Sequence, residues 1–265
     1  MLKIKVNNYF VNYGILFFIS FNLLSEDIGQ PGELFPVKVD YAESNESSGL
    51  VKINNDYFKL IPLSYSKQGE YIEFNKSKIY VQKKDFGESR ITITNNKLVD
   101  LSDEDRKRTI RESAIIKKAL QSYSKDIKPK FNFMRPVEGI ISSRYGKKRF
   151  INDSPRSPHL ALDIAAPEGT AIFTPDNGRI ILIGNFFYSG NFVLIDHGYG
   201  LVSSYSHLSS VSVSKGDILD KGQKIGEVGS TGRVTGPHLH WTVYYEGVRI
   251  NPESLLRDNY LKTLL

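Results

Sequence analysis

The chain has 265 residues, a net charge of +6 and no cysteine. The length fits two modest domains, or one domain with an appendage. The lack of cysteine excludes disulfides, thiolate metal sites and cysteine nucleophiles, so a metal would need imidazole and carboxylate ligands. The small positive charge suits an anionic surface such as wall polymer or lipid. Because no dense Lys/Arg block is present, we expect no nucleic-acid partner.

The first residues have the order of an export signal. Lys3 and Lys5 precede a mostly apolar run from Tyr9 to Leu24, and polar sequence follows. The run is shorter than the ~20 apolar residues that span a membrane as a helix. We therefore expect residues 1–25 to be a signal peptide or an uncleaved membrane anchor of an exported protein. A buried helix of the folded domain is the alternative.

Residues 31–100 are predicted to form a small β-rich domain. Short segments rich in Val, Ile, Tyr, Phe and Thr are separated there by Asn, Gly, Ser and Lys. No catalytic cluster occurs in this part. The predicted strands are Leu50–Ile53, Tyr57–Leu63, Tyr71–Phe74, Lys78–Gln82 and Arg90–Thr94.

A linker helix is predicted over residues 102–124. Ser102 and Asp105 form a capping box, and further acidic residues lie in the first turn. Apolar residues recur at helical spacing: Ile110, Ala114, Ile116 (or Ile115) and Leu120. The expected span is Asp103–Tyr123, between two modules.

Strand-like runs alternate with turn signals in the last half of the chain. Asn177-Gly178 predicts a hairpin between Ala171–Phe173 and Arg179–Ile183. A Gly-Tyr-Gly turn predicts a second hairpin between Phe192–Asp196 and Leu201–Tyr205. This half is therefore predicted to be mostly antiparallel β, as a barrel or sandwich.

All histidines of the chain lie in this half: His159, His197, His207, His238 and His240. In a strand, the H-L-H tripeptide places His238 and His240 on one face, ~6.7 Å apart. Two imidazoles could then enter one cleft, one to bind a metal and one to address water. A surface pair is the alternative, and His207 taken alone suits a core histidine.

The H-L-A-L-D segment allows two geometries. In a helix, His159 and Asp163 adjoin on one face. In a straight strand they lie ~13 Å apart, so an extended segment would need a bend or a bulge. With His240 the pair would complete a His, Asp, His set, which leaves one open position on tetrahedral zinc.

Taken in order, three motifs resemble those of the lysostaphin-type or LytM-like zinc endopeptidases. They are H-L-A-L-D from His159, Y-S-H-L around His207 and G-P-H-L-H ending at His240. The resemblance assigns residues 133–256 to a LytM-like metallopeptidase domain. The upstream β module and helix resemble the N-terminal part of a Gram-negative, two-module branch.

The resemblance implies one Zn2+ ion held by His159, Asp163 and His240. It implies His207 and His238 as catalytic partners: one moves the proton between water and the leaving amine, and the other stabilises the oxyanion. An antiparallel β groove, peptidoglycan peptide stems as substrate and a location in the periplasm or cell envelope are also implied.

Residues around these motifs receive lesser roles. Arg144, Arg233 and Thr235 are expected to line the groove. Glu227 is expected to be a solvated hairpin charge, and His197 to brace a turn beside Asp196, outside the site. We also hypothesise that the upstream module covers or positions the groove.

One departure from the family pattern is visible at Ala161, where the family usually carries Gly. If the backbone needed a positive φ there, the methyl would cost about 1 kcal/mol.

Two rival functions are considered. A non-catalytic relative that activates a cell-wall amidase would keep the fold, but such proteins typically lose ligands that this chain retains. A lipoyl- or biotinyl-type carrier would need a Met-Lys-Met target, which the sequence lacks.

Overall fold

A computed structural model describes residues 27–40, 49–93 and 100–265. The expected leader of residues 1–25 lies outside this part, as does the end of the predicted strand at Thr94. In the described ranges, no helix is long and apolar enough to cross a membrane.

The described residues are mostly β. The strands are β1 (Asp27–Gly29), β2 (Leu34–Val39), β3 (Val51–Ile53), β4 (Asp56–Pro62), β5 (Tyr71–Phe74), β6 (Ser77–Val81), β7 (Glu88–Ile91), β8 (Ile140–Ser143), β9 (Lys147–Ile151), β10 (Ser154–His159), β11 (Leu162–Ala165), β12 (Ala171–Phe173), β13 (Gly178–Phe186), β14 (Gly190–Gly198), β15 (Leu201–Val211), β16 (Ile218–Leu219), β17 (Lys224–Val228), β18 (His238–Tyr245) and β19 (Val248–Ile250). The α-helices are α1 (Asp103–Ala119) and α2 (Pro252–Leu255), and 3-10 turns cover Tyr65–Lys67 and Tyr260–Leu264.

The N-terminal part forms two three-stranded sheets, with strand orders β1-β6-β5 and β2-β4-β3. The five strands predicted here correspond to β3 to β7, whereas β1 and β2 were not predicted. Leu34, Phe58 and Leu60 of the second sheet belong to the same buried cluster as Phe131 and Trp241 of the C-terminal half. The two halves therefore share one continuous core.

Helix α1 begins as predicted and ends early. The Ser102 hydroxyl accepts the Asp105 amide proton at 3.1 Å, which confirms the N-cap. The helix stops at Ala119 instead of Tyr123, because the Ser122 and Ser124 hydroxyls donate to the Asp196 carboxylate at 2.9 and 2.7 Å. These bonds draw the chain away from the helix axis.

A ten-stranded, antiparallel sheet forms the C-terminal half, with the main order β16-β13-β14-β15-β18-β11-β8. Its hairpin of β14 and β15 confirms the predicted pairing of Phe192–Asp196 with Leu201–Tyr205.

The predicted Asn177-Gly178 hairpin is wrong. Strand β12 pairs with β17, and β13 pairs with β14 and β16. Neither Asn177 nor Gly178 adopts the positive φ that a tight hairpin turn requires. The Asn177 side chain instead accepts the Lys221 amide proton at 2.9 Å, so this turn is joined to the next one along the chain.

A third small sheet, of order β10-β9-β7, connects the two halves. Strand β7 runs parallel to β9, with Ser89 opposite Arg149 and Ile91 opposite Ile151. The predicted division into domains 31–100 and 133–256 remains a prediction, and this pairing joins strands from either side of it.

We predict that Leu239→Ala lowers the free energy of unfolding by about 2–5 kcal/mol, because this fully buried side chain would leave a cavity. Ile218→Ala is the matched control: that side chain is 61% exposed, and the expected change is below about 0.5 kcal/mol. Urea unfolding measures both, and equal losses would contradict the assigned core.

Candidate metal centre and active site

Three neighbouring strands position most of the site. Strand β18 lies between β15 and β11. In this antiparallel register Asp163 of β11 lies directly opposite His240, and Ser206 of β15 lies opposite His240 on the other side. The sheet therefore brings residues separated by up to 77 positions into contact.

The two histidines of β18 share the open face of the sheet, as predicted. His238 and His240 are partly exposed, whereas Leu239 and Trp241 between and after them are fully buried. The alternation of a strand thus commits the apolar side chains to the core and both imidazoles to the site.

A bend brings His159 to Asp163. His159 ends β10, Leu160 and Ala161 leave the strand, and β11 begins at Leu162. The extended alternative is therefore confirmed, and the helical alternative is wrong. Ala161 is buried and has no positive φ, so the cost considered for its methyl group does not arise.

Three potential ligand atoms converge at this bend. Oδ1 of Asp163 lies 3.0 Å from Nε2 of His159 and 2.7 Å from Nδ1 of His240. One ligand atom from each residue lies within 4.8 Å of the others. Two imidazole nitrogens and one carboxylate oxygen form a donor set that suits zinc.

The surroundings of His159 fit a metal. Its Nδ1 donates a hydrogen bond to the Arg144 carbonyl at 3.1 Å. Nε2 therefore carries no proton and presents its lone pair to the site. Nε2 is buried without a hydrogen-bond donor, because the atom 3.0 Å from it, Oδ1 of Asp163, is also an acceptor. A buried acceptor left unsatisfied is costly, and a cation at this point would satisfy it.

The protonation states also suit metal binding. Burial alone would raise the pKa of Asp163, but His240 and His159 outweigh that effect and hold it well below its usual value. Burial lowers the pKa of His240, against the opposing effect of Asp163. An ionised carboxylate beside a neutral imidazole is the ligand form that a metal requires.

His207 reaches the site through a β-bulge in β15. The pairing of β14 with β15 shifts register between Asn191 and Val193, and His207 has a φ of 69°. A left-handed residue inside a strand is uncommon for a non-glycine residue and is a form of strain found at functional sites. The bulge turns the imidazole towards β18.

The second pair of imidazoles lies beside the ligand cluster. The His207 ring centroid is 5.0 Å from that of His238 and 5.7 Å from that of His240. Nδ1 of His207 donates to the Thr231 carbonyl, and Nδ1 of His238 to the Gly236 carbonyl, both at 2.8 Å. Both Nε2 atoms are therefore available as proton acceptors.

The site opens into a cleft of about 450 Å³. Arg233 and Thr235 line it, as predicted, together with Asp163 and the histidines of β15 and β18. Arg144 does not: its side chain forms an ion pair with Glu253 of α2, and its backbone carbonyl serves His159. The prediction that the Arg144 side chain lines the groove is therefore wrong.

Two residues excluded from the site do lie outside it. The His197 imidazole is buried, with Nδ1 2.8 Å from the Asn177 carbonyl and Nε2 2.7 Å from the Ser203 hydroxyl. Glu227 pairs with Lys224 at 2.7 Å.

Several cleft residues were missed by the sequence interpretation. Arg149, Tyr188 and Ser189 line the cleft, and so do Ser89 and Ile91 from β7. Nothing local in the sequence indicates this, because the pairing of β7 with β9 is made across 60 residues. Upstream residues therefore form part of one cleft wall, as the hypothesis about positioning the groove requires.

Comparison with known proteins identifies the family. The model of peptidase family M23 matches residues 157–252. A crystal structure of a Pseudomonas aeruginosa protein assigned to peptidase M23 is 30% identical, with a TM-score of 0.65 over 85% of this chain and 94% of that one. The chain belongs to peptidase family M23.

Curated relatives of this M23 chain match less than half of its length. Peptidoglycan DD-endopeptidase ShyA of Vibrio cholerae is 41% identical over 112 residues, which are 42% of this chain and 26% of that protein. A metalloprotease of Buchnera aphidicola is 36% identical over 127 residues, or 48% of this chain and 33% of that protein. The matched segment thus spans a quarter to a third of these relatives.

We predict that acid destabilises the metal-free protein through His207. Burial, His240 and His238 lower the pKa of His207 to about 3. The unfolded chain, with an ordinary pKa of about 6.5, takes up the proton first, so stability present above pH 6.5 is lost as the pH falls towards 3. Between pH 7.5 and 5, wild type should lose about 2 kcal/mol more than His207→Gln in urea unfolding with chelator. Equal losses would contradict this environment of His207.

Proposed function

We propose that the protein is a zinc-dependent endopeptidase that hydrolyses peptide cross-links of peptidoglycan in the cell envelope. The observation that carries this proposal is the convergence of His159, Asp163 and His240 beside His207 and His238. All five line or adjoin an open cleft that an extended peptide can enter.

The names of the relatives support the proposed substrate class. ShyA is named a peptidoglycan DD-endopeptidase, and Mpg of Neisseria meningitidis a DD-carboxypeptidase/endopeptidase. The family match at residues 157–252 contains the whole histidine and aspartate set. The net charge of +6 agrees with an anionic wall polymer as substrate.

The proposed zinc ligands are His159, Asp163 and His240. Zinc bound there would lower the pKa of a coordinated water and polarise a peptide carbonyl. The Arg144 carbonyl would orient the imidazole of His159. The Thr242 hydroxyl, 3.5 Å from Nε2 of His240, would orient the second imidazole more weakly.

His207 and His238 would move protons and stabilise charge. Each donates Nδ1–H to a backbone carbonyl, so each presents Nε2 to the cleft. One Nε2 accepts the proton of the attacking water and returns it to the leaving amine. The other, carrying on Nε2 a proton taken up from solvent through the open cleft, donates a hydrogen bond to the oxyanion. The low pKa of His207 keeps this imidazole neutral at rest.

We predict that His240→Ala abolishes both zinc binding and hydrolysis, because it removes one of three ligands and leaves the Asp163 carboxylate without its closest partner. Zinc content is measured after dialysis, and activity on purified sacculi. His197→Gln is the control, since that imidazole lies in the core outside the site. Equal zinc content in His240→Ala and wild type would remove His240 from the ligand set.

We predict that His207→Ala retains zinc and loses about 10²- to 10⁴-fold in kcat, the usual contribution of a positioned general acid or base. His207 does not belong to the converging ligand cluster. A kcat within twofold of wild type at equal zinc content would end its catalytic assignment.

Mass spectrometry of muropeptides released from sacculi, with and without chelator, tests the function itself. Chelator-sensitive release of uncross-linked stem peptides is expected. If the zinc-loaded protein releases none and instead stimulates an amidase, the non-catalytic alternative replaces the proposal.

A further inference from the structure

A cluster of three arginines borders the proposed metal site. Arg149 of β9 and Arg156 of β10 lie directly opposite each other in the antiparallel register, and Arg233 precedes β18 in a loop. All three line one cavity of about 420 Å³ that also reaches His159 and His240. Arg149 and Arg233 line the catalytic cleft as well. The arginine cluster and two of the proposed metal ligands therefore line the same cavity.

Two members of this cluster, Arg149 and Arg156, have no carboxylate bound to them in the described part of the chain. Within the described ranges, no carboxylate forms an ion pair with Arg149 or Arg156. The carboxylate whose field acts on Arg149 is Asp163, which already contacts two imidazoles.

Arg149 and Arg233 are also partly desolvated, and the three arginines are close to one another. Arg149 is half-buried, and burial lowers its pKa. The guanidinium carbon of Arg233 lies 4.1 Å from the centre of the Tyr188 ring. Burial lowers the pKa of Arg233 too, and the charges of Arg149 and Arg156 add to that effect. Like charges held together in a partly buried cavity cost free energy that a bound anion would offset.

The anion that fits is a carboxylate. Guanidinium groups present planar pairs of N–H donors that match a carboxylate. Contact with the Tyr188 ring holds the Arg233 guanidinium beside the cleft. A side chain that served only as a solvated charge would lie on the exposed face of the strand, as Lys148 of β9 does. Strand alternation instead directs Arg149 to the face opposite that of Lys148.

We propose that Arg149, Arg156 and Arg233 bind a free carboxylate of the substrate peptide next to the scissile bond, and so select acidic stem peptides. The inference rests on the proposed peptidase function and adds a specificity subsite to it.

The test compares two synthetic cross-linked stem peptides. They are identical except that the residue supplying the scissile amide nitrogen carries a free carboxylate in one and a carboxamide in the other. Wild type should cleave the carboxylate peptide with a kcat/KM about 10- to 100-fold higher, the usual effect of a partly desolvated charge-assisted contact. A ratio near one would overturn the inference.

Variants locate the selectivity. Arg149→Gln and Arg233→Gln should reduce the ratio to within about threefold of one, while zinc content stays at the wild-type level. Arg156→Gln removes a more exposed member of the cluster and should reduce the ratio even if the other two variants fold poorly. Lys148→Gln, which removes the same charge one residue away, should keep the wild-type ratio. An unchanged ratio in all three arginine variants would contradict the subsite.

Binding separates this inference from the proposed function. Calorimetry with His207→Ala measures the affinity of both peptides without turnover. If wild type cleaves neither peptide but the carboxylate form binds at least tenfold more tightly, the subsite stands and the peptidase proposal fails. Equal affinities for the two peptides, with or without cleavage, would overturn the subsite.

Discussion

The cross-strand register between β11 and β18 is the constraint on which the site depends. It sets Asp163 opposite His240, and the alternation of β18 then places His238 on the same face. A slip of one residue would turn both imidazoles into the core and Leu239 and Trp241 into the cleft. Because those apolar side chains are fully buried, the hydrophobic core itself holds the ligand geometry in place.

Local irregularities in the backbone bring the remaining site residues close to this pair of strands. A two-residue bend returns His159 to Asp163, and a bulge with a left-handed backbone brings His207 towards His238. Regular strands alone would leave these side chains out of reach. Rigid pairing on both sides of each irregularity offsets its strain, which is how a sheet can carry a preorganised site.

Local sequence patterns predicted the features that depend on residues close together in the chain. The strand period placed His238 and His240 together, Ser102 marked the start of α1, and the ordered motifs indicated the M23 family. Features that depend on distant partners were missed or misassigned. Asn177-Gly178 has the composition of a hairpin turn, but the strands on either side of it pair with other strands of the sheet. The approach of β7 to Arg149 has no local signature at all.

X-ray absorption at the zinc edge of the metal-loaded protein tests the central claim most directly. One ion per chain is expected, bound by two imidazoles, one carboxylate and solvent. The His240→Ala variant should hold no zinc, so its zinc-edge signal should be lost. A shell containing three or more imidazoles, or none, would contradict the assignment of His159, Asp163 and His240 as the metal site.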